Sequence, residues 1–201
     1  MTPTFQFEQF LLDRGHRLIA GVDEVGRGPL AGPVYAAAVI LDPAHIPGGL
    51  NDSKALTAKR RHAVMEDITK MAHIGIGYAT VFEIDQINIL RASHLAMVRA
   101  LDALPLRPDI ALIDGNQIPR DCPIPAQPIV KGDAKSLSIA AASIVAKIRR
   151  DYVMKKLAQE FPRYGWDTNM GYPTKMHKKA LQDLGVTPHH RRSFAPVRNM
   201  L

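Results

Sequence analysis

Asp23 and Glu24 stand side by side just ahead of Gly26, Arg27 and Gly28, and two further carboxylates, Asp114 and Asp133, close apolar runs later in the chain. Carboxylates are hard oxygen donors, and glycines beside them let a main chain approach a ligand and donate its N–H groups. The chemistry that uses both is divalent-metal chemistry on phosphate. Phosphodiester hydrolysis needs an activated water, a stabilised pentavalent phosphorus and a neutralised leaving oxygen, and two ions about 3.5 to 4 Å apart supply all three. Taken singly, each acid reads equally well as a helix cap or a surface carboxylate, Asp133 above all because it sits where an N-cap belongs. Their joint occurrence at three predicted strand ends favours one site. Four carboxylates in one pocket repel unless cations neutralise them, and a donor set without cysteine favours Mg²⁺ or Mn²⁺ over zinc.

The elements that must position these acids are legible from periodicity. Apolar runs predict strands over 17–24 and 33–41, joined as a long hairpin through a turn built on Gly28, Gly32 and Pro33. Further strands are expected over 74–81, 109–113 and 127–130, so that Asp23 and Glu24, Asp114 and Asp133 each follow one. In open α/β sheets, strand ends gather ligands. Helical spacing predicts a helix over 58–72 capped by Thr57, a core helix over 83–104, a long Ala-rich helix over 134–161 and a short one near 175–184. The four prolines of 118–128 demand an irregular connection. The expected architecture is a single α/β domain over 1–201 with a helical C-terminal elaboration from about 162.

Composition narrows the partners. A chain of 201 residues, 46% hydrophobic and 22% charged, can bury an ordinary globular core, and its formal charge of +7 biases it toward polyanions. Basic residues cluster in 54–61, 147–156 and 175–198, while the acids concentrate at strand ends. A basic surface around an acidic pocket suits a nucleic acid held to metal ions. The longest apolar run, 34–41, is too short to span a membrane and 1–14 has no signal-peptide pattern, so the expected location is the cytoplasm. One cysteine, Cys122, excludes an internal disulfide, and no base stands near it in sequence to activate it.

Other motifs yield to simpler readings. The glycines of 26–32 join strand to strand and so fail as a dinucleotide loop, and 132–136 resembles the end of a phosphate-binding loop without its upstream glycine. His177, His189 and His190 lack cysteine or acidic partners at zinc-ligand spacing, which leaves phosphate contact or a surface cluster. Asp151 lies 18 residues after Asp133, about 27 Å along a continuous helix. It is assigned an ion pair with Arg150 or a C-terminal basic residue.

Seven ordered motifs carry a resemblance over nearly the whole chain. They are Asp23 to Pro33 (DEVGRGPLAGP), Asn51-Asp52-Ser53-Lys54, Asp114-Gly115-Asn116, Lys131-Gly132-Asp133, the stretch 140–147, Gly171-Tyr172-Pro173-Thr174, and the run from His189 to Phe194. Together they resemble the bacterial ribonuclease HII family, the type 2 ribonucleases H. The resemblance implies a ribonuclease H-like fold: a five-stranded mixed sheet flanked by helices, its first three strands antiparallel. It implies hydrolysis of RNA in RNA/DNA hybrids and at single ribonucleotides in duplex DNA, cut on the 5′ side to leave 3′-hydroxyl and 5′-phosphate ends. By position, Asp23, Glu24 and Asp114 are metal ligands and Asp133 binds metal or places the water. Gly26, Arg27 and Gly28 read the ribose 2′-hydroxyl, Tyr172 packs on the sugar, and Lys54 holds a phosphate. A monomer is expected. No large domain precedes the first strand, unlike the ribonuclease HIII type, and no clamp-docking tail is evident. Two rivals are a resolvase- or integrase-like nuclease of the same fold, which would cut DNA lacking ribose, and a non-catalytic basic nucleic-acid binder, which would need no metal.

Overall fold

The computed structural model describes residues 2–201. Five strands, β1 (Ile19–Val25), β2 (Val34–Leu41), β3 (Ala72–Ala79), β4 (Ile110–Asp114) and β5 (Ala126–Ile129), form one sheet in the order β3-β2-β1-β4-β5. β1 pairs antiparallel with β2 and β2 with β3, whereas β4 joins β1 in parallel and β5 joins β4 in parallel. The mixed sheet with three antiparallel leading strands is the arrangement that the sequence motifs imply.

Helices cover both faces, and strand alternation decides which residues meet which helix. Ala20, Val22, Ala36, Ala38 and Ile40 are buried in a cluster with Ala92, Ala96 and Ala100 of α3 (Val81–Asp102). Ala37, Val39 and Leu41 pack on the other face with Val64 and Ile68 of α2 (Ala58–Met71) and Ala140 to Ala146 of α4 (Leu137–Glu160). Small residues on both sides let α4 come close to the sheet. At Gly21 the approach is extreme: a Cβ there would fall onto the backbone of Ser138 and Ile139. Thr57 caps α2 as expected, accepting from the Arg60 N–H.

Several elements differ from the sequence reading. β3 starts and ends two residues earlier than expected, so α3 begins at Val81, held by a capping box between Thr80 and Glu83. The predicted helix over 134–161 is two elements: a 3₁₀ turn at Gly132–Ala134, then α4. Ser136, not Asp133, is the α4 N-cap, its hydroxyl accepting from the Ile139 N–H, which frees the Asp133 carboxylate for the cavity. An N-terminal helix, α1 (Gln6–Leu12), was not expected. It has no side-chain cap, and Phe7 and Phe10 remain exposed. Tertiary contact holds it: buried Glu8 accepts hydrogen bonds at Oε1 from the hydroxyls of Ser136 and Ser138 and from the Ser138 N–H, tying α1 to the start of α4.

The C-terminal elaboration contains α5 (Trp166–Asn169), α6 (Lys175–Leu184) and α7 (Ala195–Arg198). Here the histidine expectation is corrected. His177 and His190 are core residues, 0% and 1% exposed. The Trp166 indole N–H donates to His177 Nε2, which lies 3.1 Å from His190 Nε2, while His177 Nδ1 lies 3.0 Å from the Tyr172 carbonyl and His190 Nδ1 accepts from the Thr187 N–H. The partners favour one pair of tautomers, His177 protonated on Nδ1 and His190 on Nε2, with the single lone pair of His177 Nε2 shared between the Trp166 N–H and His190. Two neutral rings then need no outside phosphate or metal. Burial, and next the neighbouring His177, push the His190 pKa down to about 4. A depressed folded pKa means that stability is fully present above the unfolded value of about 6.5 and is lost as pH falls toward 4, by up to ~3 kcal/mol. A ring-carbon NMR titration is therefore expected to find His190 neutral at pH 5; titration near 6.5 would contradict the buried network.

Asp151 is also corrected. It pairs with Lys147 one turn earlier on α4, at 2.7 Å, because positions four apart share a helix face. Arg150 points the other way, into the protein.

Candidate active site

The register of the sheet builds the site. Val22 sits opposite Ile113 in the parallel β1–β4 pair, so one step further along the two strands brings Asp23 beside Asp114. Asp23 takes the α4 side of the sheet and Glu24 the α3 side. At the strand end their carboxylates converge with that of Asp114, and one oxygen of each lies within 4.8 Å of the others. Among the described residues this is the one such group of three metal-ligating side chains. Two main-chain donors fix carboxylates in place: the Glu24 N–H to Asp23 Oδ1 at 2.7 Å and the Gly132 N–H to Asp114 Oδ1 at 2.6 Å.

A cavity of about 280 Å³ opens over this group. Asp133 lines it beyond the closest trio, and Lys54, Tyr172, Ser53, Ser143 and Lys147 complete much of the wall. Burial raises the Asp23 pKa well above the ordinary carboxylate value, and the charges of Glu24 and Asp114 raise it further, with the Ser143 hydroxyl opposing. Glu24 is raised by burial, with Arg27 opposing and Asp114 adding to the rise. Asp133 is raised by burial and then by Asp114. A bound cation would relieve this repulsion among the carboxylates, and the all-oxygen donor set fits Mg²⁺ or Mn²⁺.

Of the candidate site residues, Asp23, Glu24, Asp114, Asp133, Lys54 and Tyr172 all line this one cavity. The turn at Gly26, Arg27 and Gly28 borders the acids, and the Arg27 guanidinium lies 3.3 Å from Glu24 Oε1. Gly26 has φ +96°, a left-handed conformation that favours glycine, and a Cβ on it would collide with the Arg150 side chain. A Cβ on Gly28 would come 3.3 Å from Cε1 of Tyr172, whose side chain stands 41% exposed at the rim. Ser53, Ser143 and Lys147 lie inside the quoted motifs, which give them no role of their own. The hydroxyls of Ser53 and Ser143 share a 2.9 Å hydrogen bond that joins the loop carrying Lys54 to α4. Their signal was available: Ser143 interrupts an Ala/Ile run, and Lys147 lies four residues on, on the same helix face.

The ribonuclease HII family model matches residues 20–197. The chain belongs to the ribonuclease HII family. A ribonuclease HII of Paracoccus denitrificans is 60% identical over 199 residues, covering 99% of this chain and 95% of the relative. One of Ruegeria pomeroyi is 61% identical, with 99% and 85% covered. Among solved structures, the ribonuclease H2 of Pyrococcus horikoshii OT3 superposes with a TM-score of 0.76 at 27% identity, covering 92% of this chain and 97% of that one. The fold is therefore ribonuclease H-like, and the chain is an endoribonuclease of the ribonuclease H type, a hydrolase acting on RNA paired with DNA.

Proposed function

We propose that this ribonuclease HII cuts the RNA strand of RNA/DNA hybrids and also cuts 5′ of single ribonucleotides in duplex DNA, leaving 3′-hydroxyl and 5′-phosphate ends. The observation that carries this reading is the contact between the acidic trio and the turn of Gly26, Arg27 and Gly28, with Tyr172 against Gly28. A hydrolytic centre and a device for inspecting a sugar share one wall.

Ribonucleases H use divalent metals, and two Mg²⁺ or Mn²⁺ ions held by Asp23, Glu24, Asp114 and Asp133 would activate water and neutralise the leaving oxygen. The protein's own groups do the rest. Asp23 and Asp114 are held rigid by main-chain donors, so their lone pairs are aimed before substrate arrives. Asp133 binds an ion or orients the attacking water. Lys54 and Lys147, both on the cavity wall, attract the scissile strand's phosphates. The turn and Tyr172 supply discrimination, since the 2′-hydroxyl separates RNA from DNA at one nucleotide. The elaboration from about 162 contributes Tyr172 and further basic residues to substrate contact. The protein works as a monomer in the cytoplasm.

Metal linkage tests the centre. Ions that bind only the folded state stabilise it by about 2.7 kcal/mol at a hundredfold excess over Kd. For a chain of this size that corresponds to roughly 5 to 10 °C in melting temperature. Saturating Mn²⁺ is expected to produce such a rise together with cleavage, and both are expected to vanish with chelator. Cleavage unaffected by chelation would overturn the metal-dependent reading.

A further inference from the structure

Two arginines lie wholly inside the protein behind the ribose-facing turn. Arg150 and Arg191 are both 0% exposed, and among the described residues neither has a carboxylate within ion-pair distance. Every hydrogen bond they donate goes to a main-chain carbonyl. Arg191 donates from Nε to Gly32 at 2.9 Å, from Nη1 to Arg27 at 2.9 Å and from Nη2 to Gly26 at 2.6 Å. Arg150 donates from Nε to Pro33, from Nη1 to Met170 and from Nη2 to Ala31 at 2.9 to 3.1 Å. A buried cation is costly unless it is hydrogen-bonded, and here six carbonyls give each of the six guanidinium nitrogens one acceptor. Burial lowers both pKa values, to about 9 for Arg191 and about 10 for Arg150, so both stay charged at neutral pH.

The carbonyls concerned fix what the turn shows to the outside. In a trans peptide the N–H points opposite to the C=O of the same unit. With the Gly26 and Arg27 carbonyls drawn into one guanidinium, the N–H groups of Arg27 and Gly28 both face away from it. Among the described residues no protein acceptor takes either N–H. Consecutive main-chain N–H groups on one side make a concavity that holds an oxygen. Its left-handed first residue is Gly26, whose bare Cα rests against the Arg150 side chain. Arg150 also grips Met170, next to Gly171 and Tyr172, while the Leu30 N–H donates to the Gly171 carbonyl at 2.8 Å. Both halves of the sugar-facing wall are thus hung on these two side chains.

We propose that Arg191, backed by Arg150, is a positioning residue for ribose recognition: by taking the Gly26 and Arg27 carbonyls it presents the Arg27 and Gly28 N–H groups as a preformed pair to the sugar 2′-oxygen. This rests on the reading of residues 26–28 and Tyr172 as the ribose-sensing wall. Lysine cannot substitute, because its single ammonium lacks the planar fork that spans three carbonyls.

The test uses Arg191→Lys, with Gly28→Ala and Tyr172→Ala beside it. Three quantities are measured on the Mn²⁺-loaded enzyme: kcat/KM on a duplex with one ribonucleotide, the inhibition constant of the same duplex without ribose, and the Mn²⁺ midpoint of activity. Misplacing a recognition group costs on the order of a hundredfold in rate. Arg191→Lys is expected to lose about that much in kcat/KM, while the all-DNA inhibition constant and the Mn²⁺ midpoint stay within about twofold of the parent. Full activity in Arg191→Lys, or an all-DNA constant that weakens in step with the rate, overturns the inference. If Gly28→Ala and Tyr172→Ala also cleave normally, the ribose-sensing reading itself fails; if they are impaired and Arg191→Lys is not, only the positioning role fails. Should Arg191→Lys not fold, amide exchange on the unmodified protein decides. The Arg27 and Gly28 N–H groups are expected to gain protection with the ribonucleotide duplex and not with its all-DNA counterpart, and equal protection by both would refute the proposal.

Discussion

Asp23→Asn is expected to remove cleavage by roughly 10⁴-fold or more, as loss of a central catalytic group does, while duplex affinity changes little. The same variant is expected to melt at a higher temperature than the parent in the absence of metal. Asp23 is 6% exposed, and burial together with Glu24 and Asp114 penalises its charge. A neutral amide of the same shape escapes that penalty. The sign is unusual, since most core substitutions destabilise, and it separates a site that stores charge repulsion for metal binding from an ordinary structural carboxylate. Activity is read by a gel assay, affinity by anisotropy and stability by a metal-free melt, with ~2 to 4 °C expected per kcal/mol gained. A variant that is inactive and also less stable would mean that Asp23 supports the fold in its ionised form.

Gly21→Ala carries the largest expected stability loss. Gly21 lies at the centre of β1, paired with Val39 on one side and Leu112 on the other, and its face meets the first turn of α4. The added methyl would occupy the place of the Ser138 and Ile139 backbone, which cannot rotate away as a side chain could. Either α4 lifts from the sheet or β1 bows. Overpacking of this kind costs roughly 3 kcal/mol or more against a rigid neighbour, or ~6 to 12 °C in melting temperature. Both Asp23, two residues on, and Ser143, on the displaced helix, would shift with it, so activity should fall alongside stability. A thermal melt within a degree of the parent would show that the sheet and α4 are not in the contact described.

What the residue pattern revealed, and what it hid, has a physical logic. Strands and helices with strong periodicity were readable, and α6 (Lys175–Leu184) falls where its spacing placed it. The acids were readable because each ends an apolar run, and parallel pairing of β1 with β4 then brings two of those ends together. Asp133 misled because N-cap position is a local signal, and Ser136 three residues later outcompetes it. The α1 helix was hidden because its stability comes from Glu8 reaching across to Ser136 and Ser138, a contact about 130 residues away in sequence that no local pattern encodes. For the same reason, Arg150 reads from sequence as a partner for Asp151, Arg191 as part of a basic surface, and His177 and His190 as phosphate contacts or a surface cluster. Charge and polarity predict exposure on average, but these four find all their partners in the interior, mainly on main-chain carbonyls.

In the proposed function the acids Asp23, Glu24 and Asp114 hydrolyse while the adjoining turn of Gly26, Arg27 and Gly28 inspects a ribose. The most direct measurement is cleavage, with Mn²⁺, of a DNA duplex carrying a single ribonucleotide, beside the same duplex without it, with the product ends mapped. One cut is expected on the 5′ side of the ribonucleotide, leaving a 3′-hydroxyl and a 5′-phosphate, with the all-DNA duplex intact. Comparable hydrolysis of both duplexes, or a cut on the 3′ side, would contradict the proposed function.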